Sequence, residues 1–197
     1  MEERSRNIAD WVEAHREEAV ALVRNLVAIP SVNLPPDGNE RKVQEFVAAW
    51  LGERGAETEM YELSEVEGLT EHPAYMPGRS YAGRPNVAAT FRGTGGGRSL
   101  LFSSHADTVR IFENDWSHPP HGAVIENNRL YGRGAFDMKG GLAASMMAAR
   151  CVKELGLPLR GDVIVESVVD EEYGGANGTL AARLRGVRAD MAVIPEP

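Results

Sequence analysis

Four short clusters of imidazole and carboxylate side chains, each placed at the end of an apolar strand-like run, constrain this chain more than any other feature. They read Ser104-His105-Ala106-Asp107-Thr108-Val109, then Asp137-Met138-Lys139-Gly140-Gly141, then Asp170-Glu171-Glu172, then Glu196-Pro197 as the last two positions. Strands that alternate with helices imply an α/β layer architecture, and polar groups at the strands' carboxyl ends gather in one crevice. A neutral imidazole with carboxylates from separate strand ends is a donor set that zinc accepts. Carboxylates brought together repel one another, so a bound dication is their natural partner.

Composition narrows the class. The chain has 197 residues, enough for one sizeable domain and short for two. Its formal net charge is −8 with no basic stripe to offset it, which argues against a nucleic-acid binder. No apolar run approaches the ~18 residues of a membrane span. Met1-Glu2-Glu3-Arg4 opens a charged amphipathic segment rather than a secretory leader. Cys151 is the only cysteine, so there is no internal disulfide, and a cytoplasmic location is expected. Beside Met146 and Met147, Cys151 reads as a buried helix thiol rather than a nucleophile.

Periodicity places the elements. Apolar positions from Ile8 to Val27 predict one helix that ends near Pro30. A loop with Pro35, Pro36 and Gly38 leads to a second helix over Asn39 to Arg54, closed by Gly55 in a left-handed conformation. Glu57 to Leu63 predicts a strand, and Ser64 to Pro85 a polar excursion. Asn86 to Arg92 and Ser99 to Ser103 predict strands joined by Gly93-Thr94-Gly95-Gly96-Gly97, a flexible turn that lacks the Gly-Lys-Ser/Thr ending of a phosphate loop. Ala123 to Tyr131 predicts a hairpin turning at Asn127-Asn128. Met138 to Leu155 predicts a helix opened by Gly140-Gly141, and Thr179 to Leu184 another. Asp162 to Val169 predicts a strand buried on both faces, with a further short buried strand at Met191 to Ile194. The expected fold is α/β: a three-layer, mixed and largely parallel sheet with helices on both faces.

Each cluster admits a plain reading and a chemical one. His105 and Asp107 share one side of extended chain, so Asp107 can fix the metal-binding tautomer of His105; a hydrogen-bonded structural pair fits as well. Asp137 can be a ligand or a helix cap, and Lys139 a surface or supporting charge. Glu171 and Glu172 diverge from a strand end, so one can bind metal while the other reaches a water; a solvated acidic turn has the same composition.

Together the clusters are far more specific. Ser104 to Val109, the block Leu130-Tyr131-Gly132-Arg133-Gly134-Ala135-Phe136-Asp137-Met138-Lys139-Gly140-Gly141, Asp170 to Gly175, and Glu196-Pro197 give the whole chain a pattern that resembles the co-catalytic zinc peptidases and deacylases. That family includes acetylornithine deacetylase, succinyl-diaminopimelate desuccinylase, aminoacylase and carboxypeptidase G. The resemblance implies two zinc ions, with cobalt or manganese as substitutes. His105 and Glu196 would bind one ion, Glu172 the other, and Asp137 both. Asp107 would orient His105, Glu171 would be the general base, and the Asp137–Met138 peptide would be cis. The implied substrate is an N-acyl amino acid or short peptide. Such proteins run to about twice this length, and add a lid domain for dimerisation and a final zinc-binding histidine. None of His15, His72, His118 and His121 replaces that ligand by position. The chain is therefore expected to be the N-terminal portion of the catalytic domain, inactive alone; a non-catalytic module keeping a half-site is the alternative.

Overall fold

The computed structural model describes residues 2–112 and 116–197. Chain order is α1 (Glu2–Ala14), α2 (Arg16–Ala28), β1 (Asn33–Leu34), β2 (Asp37–Gly38), α3 (Arg41–Gly52), β3 (Glu57–Glu62), β4 (Pro85–Phe91), β5 (Leu100–His105), β6 (Val124–Glu126), β7 (Arg129–Tyr131), α4 (Gly140–Glu154), β8 (Val163–Val168), α5 (Asn177–Arg185) and β9 (Met191–Val193). Five strands form the central sheet in the order β3-β4-β8-β5-β9. The pairings β3/β4 and β4/β8 are antiparallel, whereas β8/β5 and β5/β9 are parallel. Since β8, β5 and β9 run the same way, their carboxyl ends share one edge of the sheet.

Side-chain alternation builds the layers. From β4, Val87, Ala89 and Phe91 enter a core with Leu22, Leu26, Val43, Val47, Leu51, Leu142 and Met146 from the helices, while Ala88 faces the opposite cluster with Tyr61, Val169 and Ala181. Helix α3 presents Val43, Val47 and Leu51 at four-residue spacing, one stripe on one face. Burying each such side chain contributes about 1.5–3 kcal/mol. All six residues of β8 are buried, the polar Glu166 and Ser167 included, as its almost wholly apolar run predicts.

Several local expectations are revised. The first helix divides at His15, whose ring stacks on Trp11 and whose Nδ1 lies 2.7 Å from the Trp11 carbonyl oxygen. The Pro35-Pro36 loop closes the small β1/β2 pair through a cis peptide. The strands flanking the glycine run are not neighbours, because β8 lies between them. The run itself is tied down: Thr94 and Gly95 donate to the carbonyls of Leu159 and Arg160 at 2.9 Å each. A Cβ at Gly93 or Gly97 would strike that backbone, which explains the glycines without any ligand. Strand β9 was expected to be buried but is exposed, with Met191 at 42% and Val193 at 44%, because it is the sheet's edge. Among the described residues, no helix is long and apolar enough to cross a membrane.

Candidate metal centre

The shared carboxyl edge collects the sequence-predicted residues. His105 ends β5, and the chain then turns through Ala106 into Asp107. Glu171 and Glu172 follow β8, Glu196 follows β9, and Asp137 lies in a wide turn, Ala135–Lys139, that opens α4. The Asp137–Met138 peptide is cis.

His105 is the hub. It is 1% exposed, and its Nε2 lies 3.1 Å from Asp137 Oδ1, 3.5 Å from Glu196 Oε1 and 3.7 Å from Glu171 Oε2. Its Nδ1 faces the Asp107 carbonyl oxygen at 3.0 Å and Asp107 Oδ1 at 3.4 Å. A ring whose Nδ1–H is held by acceptors offers Nε2 as its free donor. Two groups of donor atoms lie within 4.8 Å of one another: His105, Glu171 and Glu196, and His105, Asp137 and Glu172. All the carboxylates named from sequence therefore stand around one imidazole.

Asp107 does more than orient that ring. Fully buried, it accepts from the Glu171 N–H at 3.1 Å, the Glu172 N–H at 3.2 Å and Asn33 Nδ2 at 2.8 Å. One carboxylate thus fixes the imidazole and the backbone of both neighbouring glutamates. Asn33 reaches it because residues 31–33 lie along residues 106–108: Asn33 N–H donates to the Thr108 carbonyl and Thr108 N–H to that of Ser31, at 2.8 and 2.9 Å.

Charge behaves as the crowding demands. Burial alone lowers an imidazole, but Asp107, Glu171 and Glu196 outweigh it and push His105 up to about 10. Burial would raise Asp107, yet the bonds from His105, Asn33 and Glu171 hold it below its ordinary value. Burial, and then the charge of Asp137, push Glu172 up to about 7. Glu196 is raised as well, chiefly by burial, with Asp137 adding to it against the pull of His105. Carboxyls held up by burial and by one another around a single imidazole fit a divalent cation, which would relieve their repulsion.

Of the two sequence readings of Lys139, a surface or a supporting charge, the structure shows the second: it is fully buried and donates to the Leu26 and Ile29 carbonyls at 2.9 and 2.8 Å, tying the end of α2 to the Asp137 turn. Burial, only partly offset by Asp107, pulls it down to about 7. His118 faces Glu126 at 3.4 Å and packs on Tyr131, while His121 Nδ1 faces the Val27 carbonyl at 3.2 Å. Both are half-buried in their own loop, and neither joins the cluster. Cys151 is buried, as expected. Asn33, Arg79 and Asp170 went unassigned in the sequence; their only signal was Asp170 beside the two glutamates.

Residues 101–197 match Peptidase family M20/M25/M40. Across 199 aligned residues the chain is 32% identical to the N-formyl-4-amino-5-aminomethyl-2-methylpyrimidine deformylase of Bacillus subtilis (strain 168), covering 100% of itself and 42% of that protein. Human carnosine dipeptidase 1 shares the fold with a TM-score of 0.74 at 20% identity, over 95% of this chain and 40% of that one. The M20 family metallo-carboxypeptidase Sso-CP2 from Sulfolobus solfataricus gives 0.70 at 21%, over 90% and 37%. The chain spans about two fifths of the length of the curated relatives it matches.

Proposed function

Since residues 101–197 belong to peptidase family M20/M25/M40, we propose that this chain supplies the N-terminal, metal-binding part of the catalytic domain of an amide hydrolase. Zinc is the proposed metal, as a pair of ions, with cobalt or manganese as substitutes. The observation that carries this reading is the convergence of Asp137, Glu196 and Glu171 within 3.7 Å of His105 Nε2, with Glu172 grouped beside Asp137.

In this reading His105 and Glu196 hold one ion, Glu172 holds the other, and Asp137 serves both. The ions, when bound, supply Lewis acidity and lower the pKa of water from 15.7 to ~7. Glu171 accepts a proton from the attacking water and hands it to the departing amine nitrogen, acting first as base and then as acid. Its backbone N–H is fixed by Asp107, so its carboxylate works from an anchored turn. Asp107 also keeps Nε2 of His105 turned toward the metal.

The proposed substrate is an N-acyl amino acid, a short peptide or an N-formyl amine, the last in keeping with the name of the Bacillus subtilis relative. The single cysteine supports a reducing, cytoplasmic setting. The Glu172 side has fewer protein ligands than the three typical of catalytic zinc. We place the missing histidine, with the lid and its dimer contact, in sequence outside these 197 residues.

The test is a paired substitution in the complete enzyme. Glu171→Ala should abolish turnover of N-formyl and N-acetyl substrates while metal content stays near wild type, whereas Asp137→Ala should lose metal. Substantial turnover in the Glu171 variant would show that another base operates.

A further inference from the structure

Between the turn at Leu63–Glu65 and β4 the chain has no regular secondary structure, yet the second half of this excursion is fixed at many points. Met76 N–H donates to Asn177 Oδ1 at 2.9 Å, and Asn177 Nδ2 donates to the Met76 carbonyl at 2.8 Å. Ser80 N–H donates to the Pro36 carbonyl at 2.7 Å. Arg84, fully buried, forks onto buried Glu40 at 2.8 and 2.6 Å. Residues 76–84 thus form a strap pinned to α5, to the β1/β2 loop and to the start of α3.

Three side chains of this strap meet one carboxylate, Arg84 from the greatest distance, with Nη2 3.5 Å from Asp170 Oδ1. Arg79 places Nε 3.0 Å from Asp170 Oδ2 and Nη2 on Asp170 Oδ1, a planar fork on a fully buried acid. Tyr81 donates its hydroxyl to Oδ2 at 2.6 Å. Asn33 closes the group: Nδ2 donates to Asp170 Oδ1 at 2.9 Å and to Asp107 Oδ2 at 2.8 Å, and Oδ1 accepts from Arg79 Nη2 at 3.3 Å. On the far side of the turn, the Arg79 guanidinium lies over the Tyr173 ring at 4.9 Å.

Asp170 has φ +62°, a left-handed conformation that few residues other than glycine adopt. That turn swings the chain out of β8 and aims two successive N–H groups, those of Glu171 and Glu172, at Asp107. A non-glycine residue persists there when its surroundings over-determine it, and the surroundings here are Arg79, Tyr81 and Asn33 in hydrogen-bond contact, with Arg84 at 3.5 Å behind them.

We propose that Arg79 is a positioning residue of the metal centre: its fork on Asp170 holds the left-handed turn that sets Glu171 and Glu172 against His105. The proposal rests on the metal-centre reading above. Arg79 touches no ligand and acts through Asp170 and Asn33. A lysine would restore the charge but not the two-pronged geometry.

The experiment compares wild type, Arg79→Ala and Arg79→Lys in this chain. Hydrogen exchange at the Glu171 and Glu172 amides, measured without metal, reads the turn directly. Zinc affinity, measured by competition with a chromophoric chelator, reads the consequence. Arg79→Ala should speed exchange at these two amides selectively and weaken zinc binding about 10- to 100-fold, as loss of a group supporting metal ligands typically does. Arg79→Lys should recover only part of that loss, and millimolar guanidinium should rescue the alanine variant without affecting wild type. A merely structural role would speed exchange across the strap and α5 alike and leave guanidinium without effect. Unchanged exchange at residues 171 and 172 overturns the proposal whatever zinc does. Failure of wild type to bind zinc, with exchange altered as expected, overturns the metal reading instead.

Discussion

Replacing Asp107 by asparagine changes polarity without changing shape, so no cavity complicates the result. Oδ1 accepts from the Glu171 N–H and faces His105 Nδ1; Oδ2 accepts from Asn33 Nδ2 and the Glu172 N–H. Asparagine must put its NH2 at one of these corners. With the NH2 at the Oδ1 corner the Glu171 N–H loses its acceptor, while His105 Nδ1 keeps the carbonyl oxygen of residue 107 at 3.0 Å; at the Oδ2 corner the Glu172 N–H and one Asn33 Nδ2 hydrogen lose theirs. The less costly orientation leaves one buried donor without an acceptor, so the variant should lose about 1–3 kcal/mol. Against a total stability of roughly 5–15 kcal/mol that loss is readily measured. Urea unfolding with chelator present, followed by circular dichroism, should show a lower midpoint at unchanged slope. A variant within ~0.5 kcal/mol of wild type, the range of ordinary surface substitutions, would refute the claim that this carboxylate joins the imidazole to the two glutamates.

Three further outcomes are expected. A Cβ at Gly141 would lie 2.3 Å from the Pro195 carbonyl oxygen, so Gly141→Ala should displace the segment carrying Glu196 and weaken zinc binding about tenfold; calorimetry showing wild-type affinity would count against Glu196 as a ligand. Burial raises Glu166 above 4.5, against the pull of Ser103 and Arg183, so its contribution to stability is full below the unfolded value and is lost as pH rises through the folded one. Glu166→Gln should flatten that stretch of the stability–pH curve, and an unchanged slope would contradict the assignment. Strand β9 exposes Met191 and Val193 at the sheet's edge, followed by Ile194 at 65%, an arrangement that favours association. Val193→Lys should shift the chain toward monomer in light scattering, and equal association by both forms would remove β9 from suspicion.

The sequence disclosed which side chains converge better than it disclosed the connections. That His105, Asp107, Asp137, Glu171, Glu172 and Glu196 come together was legible because strand-like runs precede these clusters, and parallel strands bring such ends to one edge. The two-faced burial of β8 was legible from its valines and isoleucine for the same reason. Its place between β4 and β5 was not, because strand order depends on pairings that leave no periodicity. Arg79 and Tyr81 escaped notice because they lie in irregular chain, and Asn33 because β1 is only two residues long; each finds Asp170 across a large separation in sequence. Lys139 reads as either a surface or a supporting charge because sequence does not reveal that the carbonyls of Leu26 and Ile29 lie over it. The exposure of β9 was missed since an apolar edge strand and an apolar buried strand read alike.

The central proposal is that His105 and the carboxylates gathered around it hold metal. Crystals of the chain grown with zinc, measured at the zinc absorption edge, test it most directly. The predicted result is a strong anomalous peak bounded by His105 Nε2, Asp137 and Glu196, with a weaker one, or none, beside Glu172, where fewer ligands remain. Zinc only at surface histidines and carboxylates, with the His105 cluster empty, would contradict it.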